Sequence, residues 1–207
     1  MFIERCLRQA FGEQPSDSSN ITVNLVNQWL NDAIGLAAKQ NYRESVQLDG
    51  IAYINNSFYS TFTGLNAVAF ATVPNTYQLI LPQVPIGVGQ NEGVRSLRIQ
   101  DSSNNVSLDC VPLTANQVTY FLMNKPIYNK ILYYNEGIYL YIVTTLPLDT
   151  GFTCNVTLVS GGDSTNLNSI LNVPDDFVPT MISYIMKMLQ IERSAPKDLS
   201  NDGADNG

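Results

Sequence analysis

The side chains able to do chemistry in this 207-residue chain are few, and histidine is absent from it. Without imidazole there is no Ser-His-Asp or Cys-His relay, no histidine metal ligand and no side chain that ordinarily exchanges a proton near neutral pH. The patterns GxSxG, GxxxxGK[ST] and HExxH do not occur. Glycoside hydrolysis needs only two carboxylates, and Asp101, Asp109, Glu136 and Asp149 are available for it. Each of them stands beside turn residues, where acidic side chains are common for conformational reasons. Gly87, Gly89 and Gly93 fall in GVGQNEG, whose spacing misses the dinucleotide fingerprint and which no helical pattern follows, so the stretch reads as a loop between strands. Cys6, Cys110 and Cys154 are odd in number, scattered and without CxxC spacing. They predict no disulfide framework and no metal site, only reduced, buried small hydrophobes of a protein assembled in a cytosol. No catalytic residue, metal or cofactor is expected.

One cluster points to binding rather than catalysis. Tyr128, Tyr133, Tyr134, Tyr139 and Tyr141 surround a single hairpin, and stacked tyrosines hold sugars. Aromatics alternating along strands more often pack a core on one face and brace cross-strand neighbours on the other.

Composition narrows the class further. Apolar residues make up 44% of the chain, enough for a sizeable core, whereas charged residues are only 14%, well under a typical quarter. Polarity is carried by Asn, Ser, Thr and Gln, as in extended β-rich assembly proteins. The net charge is −7 and the pI about 4.4, which disfavours a large nucleic-acid-binding face and suits a surface that DNA slides past. The N-terminal MFIERCLRQAFGEQ lacks the apolar core and cleavage site of a signal peptide, and no apolar run reaches membrane-spanning length. The N-x-S/T triplets at Asn20, Asn55, Asn105 and Asn155 are what chance yields in such a composition.

The elements that must position these residues follow from periodicity. Phe2 to Phe11 reads as a short helix ended by Gly12 and Pro15. The clearest helix is Asp17 to Gln40, with Asp17, Ser18 and Ser19 as N-cap oxygens. Val23, Leu25, Val26, Trp29, Leu30, Ala33, Ile34, Leu36 and Ala37 cover half of its cylinder, and Asn24, Asn27, Gln28, Asn31, Gly35 and Lys39 form the opposite stripe. Asn41 to Asp49 is expected to turn the chain outward. The period then becomes strand-like: Ile51 to Thr63, Val68 to Val73, Thr76 to Leu81, Val94 to Ile99, Val106 to Val111 and Phe152 to Ser160 read as strands. ILYYNEGIYLYIV, from Ile131 to Val143, reads as a hairpin with a three-residue turn at Asn135-Glu136-Gly137. Helical spacing returns from Pro174 to about Glu192, with Val178, Met181, Ile182, Ile185, Met188 and Leu189 on the apolar face, and Pro196 stops it. The expected fold class is α+β: an N-terminal helix pair and a C-terminal helix forming a helical bundle, with an antiparallel β-sandwich or barrel-like domain inserted between them. The boundaries are 1–45 for the N-terminal helices, 46–162 for the β domain, 163–192 for the C-terminal helix and 193–207 for a flexible acidic tail.

This order of parts resembles the head-to-tail connector (adaptor or ring) proteins of short-tailed bacteriophages, most closely the ring proteins of crAss-like phages. The stretches that carry the likeness are ITVNLVNQWLNDAIGLAAKQN, LILPQVPIGVGQNEGVRSLRI, ILYYNEGIYLYI and VPDDFVPTMISYIMKMLQI, with the SNDGADNG tail. The resemblance implies a structural virion protein, not an enzyme, assembled in the bacterial host cytoplasm and located in the neck or tail. Its implied partners are further copies in a homo-oligomeric ring, usually a dodecamer, then the portal protein, and neighbouring tail ring, hub or fibre proteins. Such a ring seals the neck and extends the DNA channel, and genomic DNA passes through it without specific binding; no membrane is involved. Carried onto this sequence, the likeness puts Val26, Leu30, Ala33, Ala37, Met181, Ile185 and Met188 at a subunit interface. It makes residues from Ile191 onward, including Pro196, Leu199, Asp202 and Asp205, a portal-binding arm. The alternatives are another tail ring, hub or fibre-attachment protein, or a carbohydrate-binding β module.

Overall fold

The structure is a computed structural model, and it describes residues 23–88, 93–101, 106–113, 117, 130–144, 146, 148, 152–160 and 173–194. The expected helix at Phe2–Phe11, the cap at Asp17–Ser19 and the tail beyond Ser194 lie outside these residues.

The first helix, α1, spans Val23–Asp49, 27 residues or about 40 Å at the usual rise. It therefore runs through Asn41–Asp49, where a turn was expected. No Gly or Pro interrupts that stretch, and it has partners of its own. Tyr42 packs on the helical core, and buried Ser45 donates its hydroxyl to the Asn41 carbonyl at 2.9 Å. Gln40 Nε2 donates to Glu44 Oε1 at 2.8 Å. The helix stops only at Gly50, whose N–H meets the Val46 carbonyl at 3.1 Å. The chain then folds back, the Asn55 N–H donating to Asn41 Oδ1 at 2.9 Å. Asn55 in turn caps a short 3-10 turn, Asn56–Phe58, that buries Phe58.

Eight strands follow: β1 Tyr59–Ala69, β2 Thr76–Ile80, β3 Val94–Asp101, β4 Val106–Asp109, β5 Val111–Pro112, β6 Ile131–Glu136, β7 Tyr139–Thr144 and β8 Thr153–Val159. The two expected strands Ile51–Thr63 and Val68–Val73 are replaced by the single long β1. Gly64 was a plausible break, but at φ +71 it marks a register shift inside the strand. β1 pairs with β8 on both sides of that shift, through Leu65 and Asn66, and Ala67–Ala69 then pair with β2. The hairpin of β6 and β7 is present, with a two-residue connection, Gly137-Ile138, rather than three, because Glu136 pairs directly with Tyr139. Gly137 is at φ +60 and Ile138 is not left-handed, the pattern of a II′ turn, which places glycine at its first central position.

The strand order is β4-β3-β8-β1-β2-β7-β6-β5 in one eight-stranded sheet. Its two ends, β4 and β5, are successive parts of one segment. Cys110 N–H bonds the Leu97 carbonyl of β3 at 3.0 Å, and Leu113 N–H bonds the Tyr133 carbonyl of β6 at 2.7 Å. The sheet thus curls into a nearly closed barrel. Inward-facing Leu79, Leu97, Ile99, Leu140, Ile142, Cys154, Val156 and Leu158 fill it, and Tyr133 spans it to donate to the Val94 carbonyl at 3.3 Å.

The second helix, α2, spans Val178–Ser194 after a 3-10 turn at Asp175–Phe177. Met181, Ile185 and Leu189 meet Val26, Leu30, Ala33, Ile34 and Ala37 of α1 in a separate core. Phe58, entering β1, and Val159, ending β8, belong to that core, so both helices sit at this end of the barrel. No described helix is long and apolar enough to cross a membrane.

Candidate interaction surface

The seven residues expected at a subunit interface lie where the chain packs on itself. Val26, Leu30, Ala33, Ala37, Met181 and Ile185 are buried, and Met188 is half-buried against them. The six buried side chains are covered by their own chain and hold α1 to α2, and Met188 keeps part of its surface exposed. Of the expected arm only Ile191 is described, and it is exposed; Pro196, Leu199, Asp202 and Asp205 lie outside the described residues.

The outer face of α1 carries a different set. Leu36, expected in the buried arc, is 50% exposed. With a rotation of about 100° per residue, Asp32, Leu36, Lys39, Arg43 and Val46 share the side away from the core. Val46 is 42% exposed, and Leu48, Ile51 and Tyr53 continue the exposed apolar run around the end of the helix. The sequence signal was there, in an apolar residue at the margin of the arc flanked by bases at helical spacing. It was missed because a margin position can fall to either side.

The barrel has two unlike outer faces. On β3, β8 and β4 the outward residues are Ser96, Arg98, Gln100, Thr153, Asn155, Thr157, Ser107 and Asp109. Arg98 Nε lies 2.6 Å from Asp109 Oδ1, the Thr157 hydroxyl is 3.0 Å from that of Thr61 on β1, and Asn155 Oδ1 accepts from the Gly64 N–H at 3.1 Å. On β1, β2, β7 and β6 the cross-strand pairs Val68–Gln78, Ile80–Tyr139, Gln78–Tyr141, Tyr134–Tyr141 and Glu136–Tyr139 put one apolar and aromatic surface outward. Val68 is 62%, Ile80 63% and Tyr139 42% exposed.

The tyrosines of the hairpin do not share one face. Tyr133 points into the barrel. Tyr134 and Tyr141 stack on each other, 4.9 Å between centroids, Phe70 packs edge-on against Tyr141 at 5.3 Å, and Gln78 Nε2 donates to the Tyr141 hydroxyl at 3.2 Å. One face of each ring is thus covered by the other, Tyr139 is exposed, and Tyr128 lies outside the described residues.

The candidate carboxylates are separated. Asp109 is held by Arg98 on the polar face and Glu136 ends β6 on the apolar one, while Asp149 and the side chain of Asp101 are not described. Gly93 of the glycine-rich loop is a packing residue. A Cβ there would meet the Ile86 carbonyl oxygen and Pro85 Cβ at 2.9 Å, and its own carbonyl accepts from the Val159 N–H at 2.8 Å. Cys154 is buried and Cys110 half-buried, both as free thiols pushed up to about 12 by burial. Burial likewise raises Tyr133 to about 12. Among the described residues no group of three or more His, Cys, Asp or Glu is placed to hold a metal ion. Comparison with protein-family models and with curated proteins found no match for the chain.

Proposed function

We propose that this chain is a structural virion protein, a head-to-tail connector of a short-tailed bacteriophage that forms a ring below the portal, seals the neck, extends the DNA channel and attaches the tail. The observation that supports this reading is a set of large apolar side chains left exposed on two parts of the chain, Leu36 and Val46 on α1 and Val68, Ile80 and Tyr139 on the β1-β2-β7 face. Exposed apolar area of this kind marks surfaces that a lone subunit leaves for others to cover. The resemblance in the order of parts supports the same reading, as does a net charge of −7, which repels passing DNA.

In this account the helical module is a bundle from which the β domain is inserted outward, toward tail or fibre proteins. The residues from Ile191 to Gly207 form the arm that engages the portal, and an arm that orders only on the assembled portal sets the order of assembly. Deleting Pro196–Gly207 tests it. The truncated chain is expected to keep its thermal transition and to lose co-sedimentation with the portal protein; normal virion assembly by the truncation would sink the proposal.

A further inference from the structure

We infer that residues 110–113 form a strap that unlatches on its own, opening the barrel between β5 and β6 while the other strands and both helices stay folded. This concerns the fold itself and holds whatever the chain assembles with.

The closure of the barrel is its least buried part. β6 is held on one side by β7 through six register pairs, and on the other by β5 through two, Val111–Leu132 and Pro112–Tyr133. Both β5 side chains are exposed, and proline has no N–H to give a neighbouring strand. Just beyond them the Leu113 N–H donates to the Tyr133 carbonyl at 2.7 Å. Of residues 107–113 only Leu113 is buried. It meets Leu132 and Val143 in a small cluster apart from the barrel core, and so acts as the latch.

Upstream, β4 keeps four register pairs with β3, from Arg98–Asp109 to Asp101–Val106, which gives the strap a fixed root. Between root and latch, the Cys110 N–H bonds the Leu97 carbonyl at 3.0 Å. A segment with one buried apolar anchor and few hydrogen bonds belongs to the low-stability end of a fold. Its release leaves one edge of β6 unpaired and uncovers Cys110, whose thiol packs half-buried against the barrel core.

Cys110 and Cys154 serve as paired probes of this opening. Cys154 is fully buried on β8, between β3 and β1, and is uncovered only when the barrel itself comes apart. Burial pushes both thiols up to about 12, so alkylation below pH 9 needs an opening. The experiment is iodoacetamide labelling of the full chain at about pH 8, read at each cysteine by peptide mass spectrometry, in urea below the unfolding transition. Cys110 is expected to label faster than Cys154 and with the weaker urea dependence. Leu113→Ala is expected to speed Cys110 about tenfold or more, and the milder Leu113→Val in the same direction. Ile185→Ala, in the seam between the helices, is expected to speed Cys154 alone, because the strap opens without disturbing that seam. Equal rates and urea slopes at the two cysteines, with Ile185→Ala speeding both, would mean that the barrel opens only by global unfolding and would overturn the strap. A Cys110 rate unmoved by either change at Leu113 would mean reaction from the closed barrel and would overturn it equally.

Discussion

At the residue scale the chemistry of this chain is that of packing, and its titratable interior makes that testable. Cys110, Cys154 and Tyr133 all have their protonation held upward by burial, to about 12. In the unfolded chain the thiols ionise from about pH 9 and the phenol from about pH 10, so between those values and about 12 the unfolded state releases protons that the folded state keeps. Stability is therefore intact below pH 9 and falls as pH rises from 9 toward 12. Urea midpoints measured across that range should decline steadily, and a flat profile would contradict the burial of the thiols. Below pH 9, Cys154 in the folded protein should resist alkylation until denaturant is added. Gly93 gives a second prediction. Alanine there puts a methyl group within 2.9 Å of the Ile86 carbonyl oxygen and Pro85, and is expected to destabilise by about 1–3 kcal/mol in a denaturation series. Part of this scale was legible in advance: Cys154 as a buried hydrophobe and the alternation of the hairpin; Cys6 and residues 89–92 of the glycine-rich stretch lie outside the described residues. What periodicity alone does not resolve is which of two adjacent tyrosines faces inward, or which way a marginal residue such as Leu36 falls. For Tyr133 it is decided by a partner distant in sequence, the Val94 carbonyl.

At the element scale the apolar spacing located both helices, because Val26, Leu30, Ala33 and Ala37, like Met181 and Ile185, recur at helical intervals long enough to be unambiguous. Their ends were less legible. Asn41–Asp49 has a weak apolar pattern, and its helical state depends on the buried Ser45, on Tyr42 and on the return of Asn55 to Asn41. Such contacts are tertiary and leave little trace in propensity. Glycine misled in the same way in β1, where Gly64 reads as punctuation and is instead a register shift inside the β1–β8 pairing, in a strand that runs on to pair with β2 from Ala67. The interlock of the two helices has an energetic consequence. Ile185 is fully buried between α1 and α2, and Ile185→Ala is expected to cost about 2–5 kcal/mol, seen as a lower urea midpoint. The same change at exposed Ile191 should move the midpoint by less than about 0.5 kcal/mol. Equal effects at the two positions would contradict the placement of the α2 face.

At the scale of the whole molecule, the barrel and helices share one junction, where Phe58 and Val159 leave the barrel for the helical core. Each module keeps one face for that union and exposes another. Leu36 and Val46 of α1 and Val68, Ile80 and Tyr139 of the barrel remain exposed. The resemblance puts Val26, Leu30, Ala33, Ala37, Met181, Ile185 and Met188 at a subunit interface, whereas in the structure they belong to the core shared by α1 and α2; apolar residues at helical spacing mark a helix–helix seam without saying whether the second helix comes from the same chain. The central claim, a ring-forming connector, is tested most directly by the mass in solution of the purified chain, alone and then mixed with the portal protein. The account predicts a many-subunit species with the portal, of the mass of a closed ring on its docking partner. A chain whose mass is unchanged by the portal at any ratio would contradict it.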